Sequence, residues 1–273
     1  MGIEIFQLLK QNLFWIVVAN PLAYTDGYVG DWNGSSCVAI APNWCLSAKH
    51  TDGGPGSGLN FKYQAYQVSE VIRHPLLDLQ LIRFSPQVPN WHPVRSSIQT
   101  GDEFVLAGYG RIAQVDEAWH FPRMELWGTN RADFVIGSAS EFGYIRFNFS
   151  PPTSPDATEH EASLAMNDSG GGIFSLGQDG KYYLEAIHIS TSVADYSSYG
   201  AVNISLHLQS ASDWIYDNSS GRSDWNRDGK VSLQDLFDYQ SAWLSGNADF
   251  NRDGQTTAQD FFDFLDDWFR RKE

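Results

Sequence analysis

Residues 37–50 read CVAIAPNWCLSAKH, and this stretch sets the pattern for most of the chain. The apolar run at 37–41 has the length and composition of a buried β-strand. A turn at 41–43 follows, and the run WCLSAKH then leads to His50. A strand, a turn and a second apolar run so close together indicate a sheet.

Similar runs recur from about residue 24 to residue 208. Turn-rich segments such as DGGPGSG at 52–58 and SPPTSPDAT at 150–158 interrupt them. Short strands at this spacing predict an all-β barrel or sandwich, and residues 211–216 are expected to form a short closing helix. The other clear runs are QAYQVSEVI at 64–72, LQLIRF at 79–84, EFVLAGYG at 103–110, GYIRFNFS at 143–150 and YLEAIHIS at 183–190.

The composition is that of a folded, acidic protein. The chain has 273 residues, of which 42% are hydrophobic, and this suits one large domain or two modest ones. Lys and Arg total 18 against 33 Asp and Glu, which gives a formal charge of −15. That charge argues against binding to nucleic acid or to an anionic membrane. No apolar run is long enough to span a bilayer.

Residues 1–23 allow two interpretations. The run LFWIVVA at 13–19 follows Lys10 and ends in small residues, as a secretory signal does. The same run is rich in Val, Ile and Trp and fits a first β-strand, because Glu4 leaves the preceding segment without a net positive charge. Both interpretations stay open on the sequence.

The chain has two cysteines, Cys37 and Cys45. They could form one disulfide at most, so disulfides are not the main source of stability. Neither the redox compartment nor a zinc site follows from this count.

The C-terminal segment is an internal duplication. Residues 224–243 and 249–268 are related by a period of 25 residues. The copies begin DWNRDGKVSLQD and DFNRDGQTTAQD, and each continues with apolar residues at helical spacing. Because residues 217–223 have linker composition, we expect a β-rich domain at 24–217, a linker at 218–223 and a small helical domain at 224–273.

Both copies have the ligand spacing of a calcium loop. Such a 12-residue loop supplies oxygen ligands from positions 1, 3, 5, 7, 9 and 12 and has Gly at position 6, here Gly229 and Gly254. We therefore predict two Ca²⁺ sites. The ligands would be Asp224, Asn226, Asp228, the carbonyl of Lys230, Ser232 and Asp235 in the first loop, and Asp249, Asn251, Asp253, the carbonyl of Gln255, Thr257 and Asp260 in the second.

Each unit is a loop followed by one helix, with Asp instead of the EF-hand Glu at position 12. Two such units in tandem resemble a dockerin domain, over residues 224–273. The resemblance implies folding on calcium and docking to a cohesin-like partner. Positions 10 and 11, which usually help to choose the partner, are Leu233–Gln234 and Ala258–Gln259. These pairs differ from the hydroxyl-rich pairs of cellulosomal dockerins and argue against a cellulosomal partner.

Three segments of the β-rich part carry residues for acyl-transfer chemistry. His50 ends WCLSAKH, Asp78 lies in HPLLDLQLIRF, and Ser169 lies in MNDSGGG. A serine hydrolase needs a hydroxyl nucleophile, a base, a carboxylate that orients the base, and donors for an oxyanion. In the order His, Asp, Ser, the segments resemble the motifs W-V-L-T-A-A-H, D-I-A-L-L and G-D-S-G-G-P of the chymotrypsin-like (trypsin-fold) serine peptidases.

This resemblance covers about residues 29–217 and implies a fold of two six-stranded β-barrels. GYG at 108–110, Gly200 and Trp214 are further matches to the family. With the C-terminal repeats, the expected architecture is an all-β double barrel followed by a small all-α domain.

The resemblance also implies roles for individual residues. Ser169 would be the nucleophile, His50 the general base and then acid, and Asp78 the carboxylate that orients His50. The main-chain amides of Asn167 and Ser169 would form the oxyanion hole. Ile189 stands where the family commonly has a serine that supports the catalytic Asp.

Two departures bear on activity. Asn167 replaces the glycine of the oxyanion hole, although Asn tolerates a left-handed backbone better than most residues. No Ile-Val-Gly-Gly sequence precedes the barrel to supply the new N-terminus that pairs with the aspartate before the nucleophile. Asp168 must therefore be satisfied by another donor, or processing must occur elsewhere.

The expected substrate pocket is uncharged. Ser163, six residues before Ser169, stands at the position that is acidic in trypsin-like enzymes, so nothing there would pair with Lys or Arg. Thr191 would narrow the entrance, and Gly200 would leave the opposite wall open. We expect cleavage after small or medium apolar residues.

The leading interpretation is a secreted or cell-surface serine endopeptidase that a calcium module tethers to another protein. Calcium is abundant enough outside the cell to fill sites of modest affinity. The alternative is a catalytically inactive trypsin-fold binding protein with a calcium-stabilised C-terminal module. A third interpretation is that the repeats form only a calcium-dependent clamp.

Overall fold

The computed structural model describes residues 29–111, 125–136, 142–193 and 198–271. The chain divides into two compact units, Met1–Ser210 and Ala211–Glu273. The segment 1–23, interpreted above as a leader or a first strand, lies outside the described residues. Within the described ranges, no helix has both the length and the apolar character needed to cross a membrane.

The described part of the first unit is built from β-strands, and the six runs quoted above fall in β2, β5, β6, β7, β10 and β12. The strands are β1 (Val29–Trp32), β2 (Ser35–Ala41), β3 (Trp44–Ser47), β4 (Leu59–Phe61), β5 (Gln64–Arg73), β6 (Gln80–Ser85), β7 (Glu103–Gly108), β8 (Leu126–Arg131), β9 (Phe134–Ile136), β10 (Tyr144–Asn148), β11 (Gly172–Leu176), β12 (Tyr182–Thr191) and β13 (Val202–His207).

The first six strands form a closed barrel in the order β1-β2-β3-β6-β5-β4. All seven residues of β2 are buried, which explains its nearly continuous apolar sequence. Phe61, Tyr66 and Phe84 pack in its core with ring centroids 5.4 Å apart in each pair. Cys37 and Cys45 are both free thiols in the same core.

The other strands form a sheet of seven, in the order β8-β7-β11-β12-β13-β10-β9, where six were predicted. The extra strand arises because the chain bends between β8 and β9. Only Ala132 and Asp133 separate these two edge strands, so the chain itself joins the two edges of the sheet. Counted as one bent strand, β8 and β9 complete a second barrel, whose core contains Phe104, Phe147 and Ile173.

The second unit contains α1 (Ser212–Asn218), α2 (Leu233–Leu244) and α3 (Ala258–Arg271). The segment 218–223, expected to be a linker, lies inside this unit and is held by hydrogen bonds. The Gly221 N–H, with φ 96°, donates to the Tyr216 carbonyl at 2.7 Å, and the Ser223 N–H donates to the Asp267 carboxylate at 3.1 Å. These bonds attach the segment to Tyr216 on α1 and to Asp267 on α3.

The two repeats pack as near-equivalent halves. Tyr239 and Phe264, which are 25 residues apart, stack with centroids 4.0 Å apart and planes 2° apart. The Trp243 indole N–H donates to the carbonyl of Thr257 at 2.6 Å, and the Trp268 indole N–H donates to the carbonyl of Ser232 at 2.8 Å. Each helix therefore bonds the loop of the other repeat.

Candidate active site

The register of two strands brings His50 and Asp78 together. Ser47 at the end of β3 pairs with Gln80 at the start of β6. His50 lies in the 3₁₀ turn Lys49–Thr51 that follows β3, and Asp78 directly precedes β6. His50 Nδ1 lies 2.6 Å from Asp78 Oδ2, and the His50 main-chain N–H donates to Asp78 Oδ1 at 2.9 Å.

These contacts shift both pKa values in the direction that favours an ion pair. The hydrogen bond with Asp78 raises the pKa of His50 above its ordinary value, against the opposing effect of partial burial. Burial opposes ionisation of Asp78, but hydrogen bonds from the His50 side chain and main chain hold its pKa below its ordinary value. Asp78 is therefore a carboxylate at neutral pH, and His50 is neutral only above its raised pKa.

Ser169 completes a line of three side chains. His50 Nε2 lies 2.8 Å from Ser169 Oγ, on the ring edge opposite Asp78. The Ser169 hydroxyl also lies 3.3 Å from the main-chain carbonyl of Ile189 on β12. The three residues expected to form a triad thus lie within hydrogen-bond distance in the order Asp, His, Ser.

Ser169 lies in the nucleophile loop, residues 165–171, which leads into β11. The Gly170 N–H donates to the His188 carbonyl at 2.9 Å, and the Gly171 N–H donates to the Asp168 carbonyl at 2.8 Å. Gly170 has φ +91°, and a Cβ there would lie 2.0 Å from the Ser36 carbonyl oxygen. The loop therefore requires glycine at this position.

Two main-chain donors are available beside Ser169. Asn167 has φ 75°, a left-handed conformation that Asn adopts more readily than most residues. Within the described residues, neither the Asn167 N–H nor the Ser169 N–H donates to a main-chain or side-chain acceptor. The two amides expected to form an oxyanion hole are therefore free to donate to a ligand.

Asp168 is satisfied from within the chain. Its Oδ1 accepts the Gly110 N–H at 2.8 Å, and its Oδ2 accepts the Ala165 N–H at 2.7 Å. A Cβ on Gly108 or Gly110 would lie 2.2 or 2.4 Å from Asp168 Oδ1. The GYG segment at 108–110 thus makes room for this carboxylate. The sequence left open whether Asp168 bonds another donor or a new N-terminus formed by processing. In the structure its donors are the main-chain amides of Gly110 and Ala165.

The structure links two of the three expected pocket residues. The Ser163 hydroxyl donates to Asn203 Oδ1 at 3.0 Å, and Thr191 pairs with Asn203 across β12 and β13. Gly200 instead lies exposed in the turn before β13, where its N–H donates to the Phe149 carbonyl at 2.8 Å. Asn203 is fully buried and was not expected from the sequence.

Ser36 is a second residue that the sequence did not single out. It is fully buried on β2, and its hydroxyl bonds the nucleophile loop. Asn203 and Ser36 lie far from the motif residues in the chain, so only the tertiary structure shows their contacts. The one sequence signal for these two residues was a polar side chain within a largely apolar strand.

The two loops of the C-terminal unit have matching geometry. Asp224 accepts the N–H of Asp228 at 3.0 Å, and Asp249 accepts the N–H of Asp253 at the same distance. The position-12 carboxylates accept the position-3 N–H at 3.1 Å in both loops. Arg227, at position 4 of the first loop, has positive φ, as does its counterpart in the second loop. The sequence repeat is therefore also a structural repeat.

The donor set of each loop suits a hard cation. Asp235 and Asp260 are fully buried and Asp224 is 2% exposed. Burial and the nearby carboxylates of Asp235 and Asp228 raise the pKa of Asp224 to about 6, because the charges repel one another. A Ca²⁺ ion would relieve that repulsion. Among the described residues, no three His, Cys, Asp or Glu side chains are arranged as a metal site, and this includes the three aspartates of each loop.

Comparison with known proteins gives a fold. No protein-family model matches the chain, and no curated protein sequence matches it. The structure of the Rv3671c protease in an inactive form is similar, with TM-score 0.50 and 12% sequence identity over 70% of this chain and 88% of that one. Neuropsin, a serine protease expressed in the limbic system of mouse brain, is similar with TM-score 0.54 and 14% identity over 72% of this chain and 95% of neuropsin.

Sequence identities this low carry information about the fold and not about the chemistry. The two β-sheets described above match the double barrel of both structures. The three C-terminal helices follow the second barrel in the chain. The β-rich unit therefore has the double-barrel fold of the trypsin-like serine proteases.

Proposed function

We propose that this chain is a serine endopeptidase that cleaves peptide bonds through an acyl-enzyme. The observation that carries the proposal is the line from Asp78 through His50 to Ser169, with contacts of 2.6 and 2.8 Å. Two main-chain amides beside the same hydroxyl, which no acceptor in the described part of the chain engages, support it. The trypsin-like fold is consistent with this chemistry.

The proposed reaction follows from these contacts. Ser169 Oγ attacks the peptide carbonyl while His50 Nε2 takes its proton, and Asp78 stabilises the imidazolium that forms. The carbonyl oxygen becomes an oxyanion and accepts hydrogen bonds from the amides of Asn167 and Ser169. Collapse of the intermediate breaks the C–N bond, and His50 gives the proton to the leaving amine. Water, deprotonated by His50, then hydrolyses the ester.

We propose that the catalytic unit is active without cleavage at a new N-terminus. In the trypsin fold such an N-terminus would pair with Asp168, whose two carboxylate oxygens here accept the amides of Gly110 and Ala165. Purified full-length protein should therefore react as fast as N-terminally trimmed protein. Inert full-length protein that gains activity on trimming would contradict this.

The proposed preference is for an uncharged side chain, small or medium and apolar, before the scissile bond. The oxygen of Asn203 accepts from Ser163, and its amide nitrogen lies 3.4 Å from two main-chain carbonyls, so the Ser163 and Asn203 side chains are both engaged by neutral groups. These neutral groups offer no charge to Lys or Arg.

The C-terminal unit is proposed to hold two Ca²⁺ ions and to dock to another protein, as a dockerin docks to a cohesin-like partner. The buried, mutually repelling carboxylates of the first loop support a cation there. A calcium-dependent module suits a secreted or cell-surface setting. A pull-down from source lysate with the full-length protein, in calcium and in chelator, separates the two roles of this unit. A docking module should capture a partner protein only in calcium. For a stability clamp, calcium would change the stability of the unit but not what it captures.

Digestion of a peptide library tests the enzyme proposal. Wild-type protein should cleave after small or medium apolar residues, and Ser169→Ala protein should not cleave at all. Preferential cleavage after Arg would overturn the proposed pocket. Binding of peptides without cleavage would instead support the alternative, a catalytically inactive binding protein, for which Asn167 and Ile189 are the sequence arguments.

A further inference from the structure

Ser36 lies outside the three active-site motifs, yet it contacts the nucleophile loop directly. We infer that Ser36 is a positioning residue that holds Asn167 in the conformation the oxyanion hole needs; this inference rests on the proposed function. The Ser36 hydroxyl donates to the Asn167 carbonyl at 3.0 Å and accepts the Tyr109 N–H at 2.8 Å. The hydroxyl has one hydrogen, so its donor role is used entirely on Asn167.

Further hydrogen bonds hold Ser36 itself in place. The Ser36 main-chain N–H donates to the Ser169 carbonyl at 2.9 Å, and its own carbonyl accepts the Ser47 hydroxyl at 2.7 Å. Ser36 and Ser47 are both fully buried, on the paired strands β2 and β3. Ser36, on a strand of the first barrel, therefore holds the nucleophile loop, which leads into the second barrel.

The hydrogen bonds around Asn167 fix the peptide plane on each side of its Cα. The plane that contains the Asn167 N–H is held by the Arg111 N–H, which donates to the Met166 carbonyl at 2.9 Å. The plane that contains the Asn167 carbonyl is held by the Ser36 hydroxyl at 3.0 Å and by the Asp168 N–H, which donates to the Ala165 carbonyl at 3.1 Å. The orientation of these two planes sets the φ of 75° at Asn167.

Removal of the Ser36 hydroxyl leaves the plane of the Asn167 carbonyl with one of its two hydrogen bonds. A non-glycine residue with positive φ is strained, and the strain persists only while surrounding contacts enforce it. Relaxation of Asn167 to negative φ turns the two planes relative to each other. Because the Asp168 N–H still holds the carbonyl plane, the turn pulls on the bond between Arg111 and Met166 and moves the Asn167 N–H away from the oxyanion. Ser36 thus acts on the reaction through Asn167 and touches no reacting atom itself.

Ser36→Ala tests the role, with Thr129→Val as a matched control. The Thr129 hydroxyl also donates one bond, to Thr158 at 2.8 Å, and accepts one, from the His160 N–H at 3.1 Å. The probe is a fluorophosphonate, whose phosphoryl oxygen occupies the oxyanion hole. Ser36→Ala should lower the second-order labelling rate by about 100-fold, the effect of one lost oxyanion donor, and should leave the pH midpoint set by His50 unchanged. Thr129→Val should label within about two-fold of wild type.

A second background makes the test specific to Asn167. Glycine adopts positive φ without strain, so the Asn167→Gly protein should need Ser36 less. In that background Ser36→Ala should lower the labelling rate by less than about five-fold, a coupling that a merely structural role would not produce. Equal losses in both backgrounds, or labelling of Ser36→Ala at the wild-type rate, would overturn the inference.

Crystal structures of the wild-type and Ser36→Ala proteins separate this inference from the proposed function. If wild-type protein does not label, the proposed function fails, and the backbone at Asn167 still decides the positioning role. A changed φ at Asn167 in the Ser36→Ala crystal would support that role. An unchanged φ would overturn it.

Discussion

In the β-rich unit, His50 and Ser169 are 119 residues apart in the chain and meet only through the fold. In the C-terminal unit, the six predicted ligands of each site lie within one 12-residue loop. The first arrangement depends on strand register and on the packing of two barrels. The second depends on local turn geometry, which the repeat reproduces. A substitution near the catalytic residues should therefore affect other parts of the β-rich unit through tertiary contacts. Loss of a calcium ligand should affect only the C-terminal unit.

The largest expected effect comes from Asp78→Asn. An amide in place of the carboxylate favours the wrong tautomer of His50, which should lower the rate of peptide hydrolysis by about 10⁴-fold. Because Asp78 raises the pKa of His50, and only neutral His50 can act as a base, its removal should also move the acid limb of the pH profile to lower pH.

The control is Asp52→Asn, since the Asp52 side chain is 84% exposed in an ion pair with Arg73. Its loss should leave the rate within about two-fold of wild type, because exposed ion pairs contribute little. Asp78→Asn protein with the wild-type rate would show that the carboxylate does not orient His50.

Calcium removal tests whether the second unit behaves independently. Chelation should remove most of the helical circular-dichroism signal of residues 211–273, because the ligand carboxylates then repel one another without a cation. Fluorophosphonate labelling of Ser169 should stay within about two-fold. Limited proteolysis mapped by mass spectrometry would locate the unfolding. Loss of labelling in step with the helical signal would contradict the separation of the two units.

Gly110→Ala tests whether one added methyl group perturbs the contacts of the first unit. The new Cβ would lie 2.4 Å from Asp168 Oδ1, so the carboxylate must move and lose the Gly110 N–H. We expect a loss of roughly 1–3 kcal/mol in the free energy of unfolding, and slower labelling. Gly58→Ala is the control, since a Cβ there meets nothing within 4 Å. Equal stability of the two variants would show that the loop tolerates the shift.

The smallest expected effect is in the repeat. Trp243→Phe and Trp268→Phe each remove one indole N–H from a carbonyl of the other repeat, at 2.6 and 2.8 Å. Each should lower the free energy of unfolding of the calcium-loaded unit by about 1 kcal/mol. Urea titrations of the two proteins should therefore nearly coincide. A several-fold larger loss in one of them would mean that the halves are not equivalent.

The sequence predicted the strands and the order of the motifs because apolar runs and turn residues act locally. The two helices of the repeats followed from spacing in the same way. The bend at Ala132 and Asp133 was missed, because it depends on how β8 and β9 pair with different partners. The contacts of Ser36 and Asn203 were missed because they bridge distant segments. The hydrogen bond between Ser223 and Asp267 was missed for the same reason.

The most direct test of the central claim is fluorophosphonate labelling of full-length protein, with the adduct mapped by mass spectrometry. The claim is that the fold brings three distant side chains together to activate Ser169. An adduct on Ser169 in wild-type protein, absent from Ser169→Ala and His50→Ala, is the predicted result. Folded wild-type protein that does not label, before and after N-terminal trimming, would contradict the claim.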